Sequence, residues 1–169
     1  MDPREELLTI AQIAGGLAGV SGIVAAFLQR GGLSQADRAR FVALFATAFV
    51  ALLLAFLPIA CGYAGCGESA IWRISSGVMA FFSIAALMWY RRGVREVRMD
   101  GMDISAPLAS VFLLFPMIGN LLLQCLNVIG WPWGENFLIY LVGMLTWLYL
   151  TGLIFVTLVL YRPDDPVLP

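Results

Sequence analysis

Apolar residues fall into five long runs that are separated by short polar segments. The runs cover residues 7–29, 39–60, 70–90, 106–129 and 137–161. A helix needs about 20 predominantly apolar residues to cross the hydrocarbon core of a bilayer, and each run has that length. The pattern predicts an all-α polytopic membrane bundle of five transmembrane helices, with residues 1–169 forming a single transmembrane domain.

The arginines predict the orientation of these spans. If the spans alternate, eight of the ten arginines lie on one side of the bilayer, and only Arg4 and Arg73 lie on the other. The positive-inside rule then places the N-terminus outside and the C-terminus in the cytoplasm. A cleaved signal peptide would have a basic start and a shorter apolar core, whereas this chain begins with acidic residues. We therefore expect the first run to be a retained span.

Composition narrows the chemistry that the chain can carry. Apolar residues make up 61% of the sequence and charged residues 12%, against about 25% charged in soluble domains. Histidine is absent and all ten basic residues are arginine, which excludes histidine-bound metals, lysine Schiff bases and a P-loop. We expect no enzymatic activity, no cofactor and no metal site. The use of arginine without lysine favours a GC-rich bacterial genome, and hence a bacterial inner membrane.

Polar residues within the spans concentrate in the half of the bilayer that the predicted topology places outside. The candidates for lining a pore or holding a ligand are Gln12, Arg73, Ser76, Asn120, Gln124 and Asn127. The three amides of the fourth span follow an i, i+4, i+7 spacing and share one helix face. Buried amides need partners in lipid, so interhelical hydrogen bonds and a water-filled cavity are both open interpretations. For Arg73, the alternatives are snorkelling to the headgroups and pairing with Glu68, Glu5 or Glu6.

Small residues line one face of the first span and indicate close helix packing. Gly15, Gly19 and Gly22 belong to this face. Small residues let two helix backbones approach closely, either within one protomer or at an interface between copies.

Two further groups of residues flank the spans. Cys61 and Cys66 enclose a short glycine-containing segment on the predicted outer side, where they form a disulfide or remain free thiols. We expect Cys125 to be a small core residue. The segment after the third span is predicted to contact anionic lipid headgroups through Arg91, Arg92, Arg95 and Arg98.

These features favour a small homo-oligomeric channel or pore for small ions or solutes. Anions or neutral solutes are expected rather than divalent cations, because no acidic residue lies inside a span. The alternatives are a non-catalytic accessory or scaffold subunit that binds other membrane subunits, and a protein that binds lipid or another hydrophobic ligand. The expected partners are membrane lipids and further copies of the chain, and no nucleic acid.

Overall fold

Five α-helices make up almost all of the part of the chain that the structure describes. The computed structural model describes residues 3–28, 35–99, 107–130 and 136–160. In chain order the helices are α1 (Pro3–Leu28), α2 (Gln35–Tyr63), α3 (Glu68–Met99), α4 (Pro107–Ile129) and α5 (Asn136–Leu160). The prediction of an all-helical chain with five long helices is confirmed, and each helix is long and apolar enough to cross a membrane.

Several helices extend beyond the apolar runs that predicted them. The segment from Arg91 to Arg98, which the sequence suggested was a linker, continues α3 as far as Met99. A helix satisfies its own backbone hydrogen bonds in water as well as in lipid, and arginine, glutamate and methionine are good helix formers. In the same way α2 continues to Tyr63, so Cys61 lies in its last turns rather than in a loop.

The chain divides into two compact units, each of which has its own interior. The first comprises Met1–Phe56 and Trp147–Pro169, and so contains α1, most of α2 and the C-terminal part of α5. Its buried residues are mostly small or aliphatic, among them Ala14, Ala48 and Leu54. A methyl group built on Gly15 would lie 3.8 Å from the side chain of Leu52, so α1 and α2 approach closely at this point.

The second unit comprises Leu57–Thr146, and so contains the end of α2, all of α3 and α4, and the start of α5. Within it α3 packs along α4. The ring of Trp72 on α3 lies 5.1 Å from that of Phe137 and 5.8 Å from that of Tyr140, both on α5. These aromatic contacts, together with the buried side chains of Met79 and Met144, hold the start of α5 against α3.

Candidate functional site

The amide side chains of α4 lie in the interior of the second unit. Asn120 is 3% exposed, and Gln124 and Asn127 are completely buried. Their shared helix face, which the spacing predicted, is turned toward α3 and α5, because each amide has partners on one or both of those helices.

Asn127 connects three helices through one nitrogen. Its Nδ2 donates to the Oγ of Ser76 on α3 at 2.7 Å and to the backbone oxygen of Asn136 on α5 at 3.0 Å. A carbonyl oxygen can only accept a hydrogen bond, so Asn136 fixes which end of the Asn127 amide points toward α5.

A second set of hydrogen bonds runs from α5 through α4 to α3. The Nε2 of Gln124 donates to the backbone oxygen of Ile139 and to the Oδ1 of Asn120, both at 3.1 Å. The Nδ2 of Asn120 donates to the Oγ of Ser83 at 3.4 Å, and that hydroxyl donates to the backbone oxygen of Met79 at 2.9 Å. We call these residues, with Asn127 and Ser76, the amide network. Its bonds favour the interhelical interpretation of the α4 amides.

Three buried oxygens in this region have no hydrogen-bond partner among the described residues. They are the Oγ of Ser75, the Oε1 of Gln124 and the Oδ1 of Asn127. A buried acceptor left without a donor costs about 1–3 kcal/mol. The two amide oxygens can only accept a hydrogen bond, whereas the Ser75 hydroxyl can also donate one. The chemistry open to these neutral groups is therefore hydrogen bonding to water or another polar group, rather than acid–base or covalent chemistry.

Gly143 on α5 is essential to the geometry of the network, and sequence reasoning missed it. A Cβ at this position would lie 2.4 Å from the Nε2 of Gln124, 2.4 Å from the Sδ of Met79 and 2.7 Å from the Oδ1 of Asn120. The backbone of α5 therefore approaches the amides so closely that any larger residue at this position would displace them. In the sequence, the one feature that marks Gly143 is that it is an isolated glycine within an apolar span. Gly152 in the same helix has this feature too, yet it has open space around it, so the feature alone does not identify a close contact.

Arg73 caps the C-terminal end of α4. It is exposed, and its Nη2 donates to the backbone oxygen of Ile129 at 3.3 Å. Gly130 ends the helix with a φ of 79°, and its N–H bonds the oxygen of Asn127 at 3.2 Å. The last carbonyls of a helix lack intrahelical partners and carry partial negative charge, which favours a cation there.

Gln12, the remaining polar candidate, lies on α1 in the first unit and is exposed. Its helix face also contains Thr9, Gly16 and Gly19, all exposed. The three glycines predicted to pack differ in their surroundings. Gly15 contacts Leu52, whereas a methyl group on Gly19 or Gly22 would meet no atom within 4 Å.

The cysteines and the basic end of α3 complete the set of predicted residues. Cys61 and Cys66 have free thiols, and both are half-buried. The expectation that Cys125 is a core residue was wrong: it is exposed, because it follows Gln124 and so lies away from the face that carries the amides. Arg91 and Arg92 are exposed. Arg95 and Arg98 continue the helix, and their side chains lie outside the described part of the structure.

Within the described residues, no group of three or more histidine, cysteine, aspartate or glutamate side chains is arranged to hold a metal ion. In comparisons with known proteins, no family model, no curated protein and no solved structure matches this chain.

Proposed function

We propose that this protein is a small integral membrane protein of the bacterial inner membrane, whose copies assemble into a channel for small solutes with α1 lining the shared pathway. In this proposal the N-terminus lies outside and the C-terminus in the cytoplasm, as the distribution of arginines predicts. The observation that carries the proposal is the polar and glycine-rich composition of the exposed face of α1.

The exposed face of α1 differs from that of its neighbour in the same unit. On α2, every exposed position between residues 42 and 56 is apolar, as expected for contact with lipid: Val42, Phe45, Ala46, Phe49, Leu53 and Phe56. On α1, the exposed residues include an amide at Gln12 and a hydroxyl at Thr9. An amide that faces hydrocarbon without a partner is costly, whereas one that faces water or a second copy is satisfied.

The spacing along α1 supports a helix that packs around a common axis. Exposed residues recur in alternating steps of four and three, at Glu5, Thr9, Gln12, Gly16, Gly19 and Ile23. This is the repeat by which parallel helices pack along a seam. Copies that share one orientation place each of these residues at the same depth, so several α1 helices would form stacked rings of hydroxyl, amide and glycine.

The chemistry of these rings favours small neutral solutes and monovalent ions. Within the apolar run of α1 there is no acidic residue, and Glu5 lies before that run, so no carboxylate ring lies within the membrane to bind a divalent cation. The amide network adds stability rather than a pathway in this proposal, because its nitrogens already bond α3 and α5.

Cysteine accessibility and subunit counting test the proposal together. In a variant without native cysteines, Thr9, Gln12, Gly16 or Gly19 is replaced by cysteine, and the protein is reconstituted into liposomes. A water-soluble, charged thiol reagent is expected to react at these positions and to reduce solute flux. Matched control cysteines at Phe45 and Phe49, which are exposed on α2, should react slowly and leave flux unchanged.

Native mass spectrometry from lipid nanodiscs provides the second measurement. A single closed stoichiometry of three or more copies is expected. A monomer, or equal labelling on α1 and α2, would contradict the channel and favour an accessory subunit that presents the α1 face to a different protein.

A further inference from the structure

The end of α2 forms a Schellman motif whose two contact positions are both cysteines. The N–H of Cys66 bonds the backbone oxygen of Cys61 at 3.1 Å, and the N–H of Gly65 bonds that of Gly62 at 3.1 Å. Gly65 has a φ of 79°, as the residue after the helix end does in this motif. In this motif the hydrogen bond that spans more residues brings the side chains of its two end residues together. These side chains are usually apolar.

In this chain the paired side chains are thiols. Cys61 and Cys66 are both half-buried. A disulfide forms only when the two backbones already lie close together. Because the Schellman hydrogen bonds hold the two backbones together, a disulfide between these residues requires little rearrangement.

Cys66 has open backbone on both sides of it. It lies between Gly65 and Gly67, and a methyl group on either glycine would meet no atom within 4 Å. Cys61 is held in the last turns of α2. Thiol–disulfide exchange requires that the incoming disulfide can reach the sulfur atom of the cysteine that attacks it. We therefore expect exchange to begin at Cys66.

An open recess of about 590 Å³ is formed by residues that follow Cys66 in the sequence. It is lined by Gly67, Glu68, Ser69, Ala70, Arg73 and Ile74. The guanidinium of Arg73 and the N-terminal end of α3 both attract negative charge, while Glu68 opposes it. The recess is therefore suited to a small molecule that carries carboxylates at a distance from its sulfur atoms.

We propose that Cys61 and Cys66 form a thiol–disulfide exchange site for an anionic disulfide of low molecular weight. The thiolate of Cys66 attacks one sulfur of the small disulfide, whose S–S bond breaks and releases one thiolate. The thiolate of Cys61 then attacks the Cys66 sulfur of the mixed disulfide and releases the second thiolate. The two protons lost by the cysteines pass to the two released thiolates. The protein is oxidised by two electrons, and the small disulfide is reduced to two thiols.

Glutathione disulfide is a suitable probe for the full-length protein in nanodiscs, with Cys125 replaced by alanine. Alkylation followed by mass spectrometry is expected to show loss of both free thiols and formation of the Cys61–Cys66 disulfide. In C61S a glutathionyl adduct should accumulate on Cys66. In C66S the adduct on Cys61 should form about tenfold more slowly, because Cys61 lies within the last turns of α2 and not between open glycines. No adduct in C61S, or faster reaction in C66S, would overturn the proposal.

The contribution of the motif is tested by a matched pair of glycine variants. G65A places a side chain at a positive φ and should slow closure of the disulfide, whereas G67A adds the same methyl group in open space and should not. Equal closure rates in the two variants would contradict the role of the Schellman motif.

The contribution of charge is tested by comparing glutathione disulfide with neutral hydroxyethyl disulfide on the same variant. The ratio of the two rates is expected to fall about three- to tenfold in R73Q, since electrostatic attraction raises local ligand concentration by such factors. Because both probes react with the same protein, a general loss of folding does not change this ratio. An unchanged ratio would refute selection of an anionic disulfide.

Discussion

Replacing Gly143 by alanine tests whether the close approach of α5 to the amide network stabilises the second unit. The new Cβ would lie 2.4 Å from the Nε2 of Gln124 and 2.4 Å from the Sδ of Met79. Both atoms can move, but movement of the Gln124 amide removes its bonds to Ile139 and Asn120. The substitution therefore combines overpacking against Met79 with loss of the hydrogen bonds of Gln124.

The size of the effect follows from these contacts. Interhelical hydrogen bonds in membrane proteins contribute about 0.6 kcal/mol each, which applies to the bond from Gln124 to Ile139. With a similar value for the bond to Asn120 within α4, the two bonds of Gln124 contribute about 1 kcal/mol. Overpacking a well-packed interior costs about 1–3 kcal/mol. Alanine is favoured over glycine within a helix by about 1 kcal/mol, which offsets part of the loss. We expect G143A to lower the free energy of unfolding by about 2 kcal/mol overall.

Gly152 provides the matched control, because it lies in the same helix and a methyl group added to it would meet no atom within 4 Å. G152A should leave the free energy of unfolding unchanged or raise it by up to about 1 kcal/mol. Unfolding is followed by circular dichroism in mixed micelles with increasing dodecyl sulfate. Equal stability of the two variants would refute the argument. In a double-mutant cycle, G143A should cost less when Gln124 is already alanine.

Two further substitutions have matched controls within the chain, and both are measured by the same unfolding assay. G130A should destabilise the protein by about 1 kcal/mol more than G65A. Both glycines have a φ of 79°, but only Gly130 has the Arg73 guanidinium against it. Equal costs would contradict a stabilising cap by Arg73. N127D should destabilise by about 2 kcal/mol or more, because it buries a carboxylate facing a carbonyl. N136D places the same charge in the first turn of α5 and should be neutral or stabilising, so destabilisation by both would contradict this reasoning.

The number and type of helices could be predicted from the sequence because the apolar runs are long and charge bounds each of them. The ends of the helices could not, since hydropathy reports where lipid contact stops and not where backbone hydrogen bonding stops. The end of α3 illustrates the difference. Arg91 and Arg92 end the apolar run, yet they belong to a helix that continues to Met99.

The candidate site was predictable only in part, for a related reason. Spacing alone places Asn120, Gln124 and Asn127 on one face of α4, because helical geometry is local. Their partners depend on which helices pack against that face, and this depends on contacts between distant parts of the chain. Gly143 is recognisable as special only once α5 lies against α4, because its role is to leave room for side chains of other helices.

The amide side chains of the two units lie in different surroundings, and this difference gives a last prediction. Asn120 is buried and bonds Ser83 within its unit, whereas Gln12 is exposed on α1. N120L should therefore lower the free energy of unfolding while leaving the flux through each assembled oligomer near its original value. Q12L should leave the unfolding of each protomer nearly unchanged, because this amide is exposed, but it should alter flux or subunit number. Flux per oligomer in liposomes, measured beside unfolding in micelles, separates the two effects. If N120L abolished flux in a folded oligomer and Q12L did not change it, the pathway would belong to the amide network instead of α1.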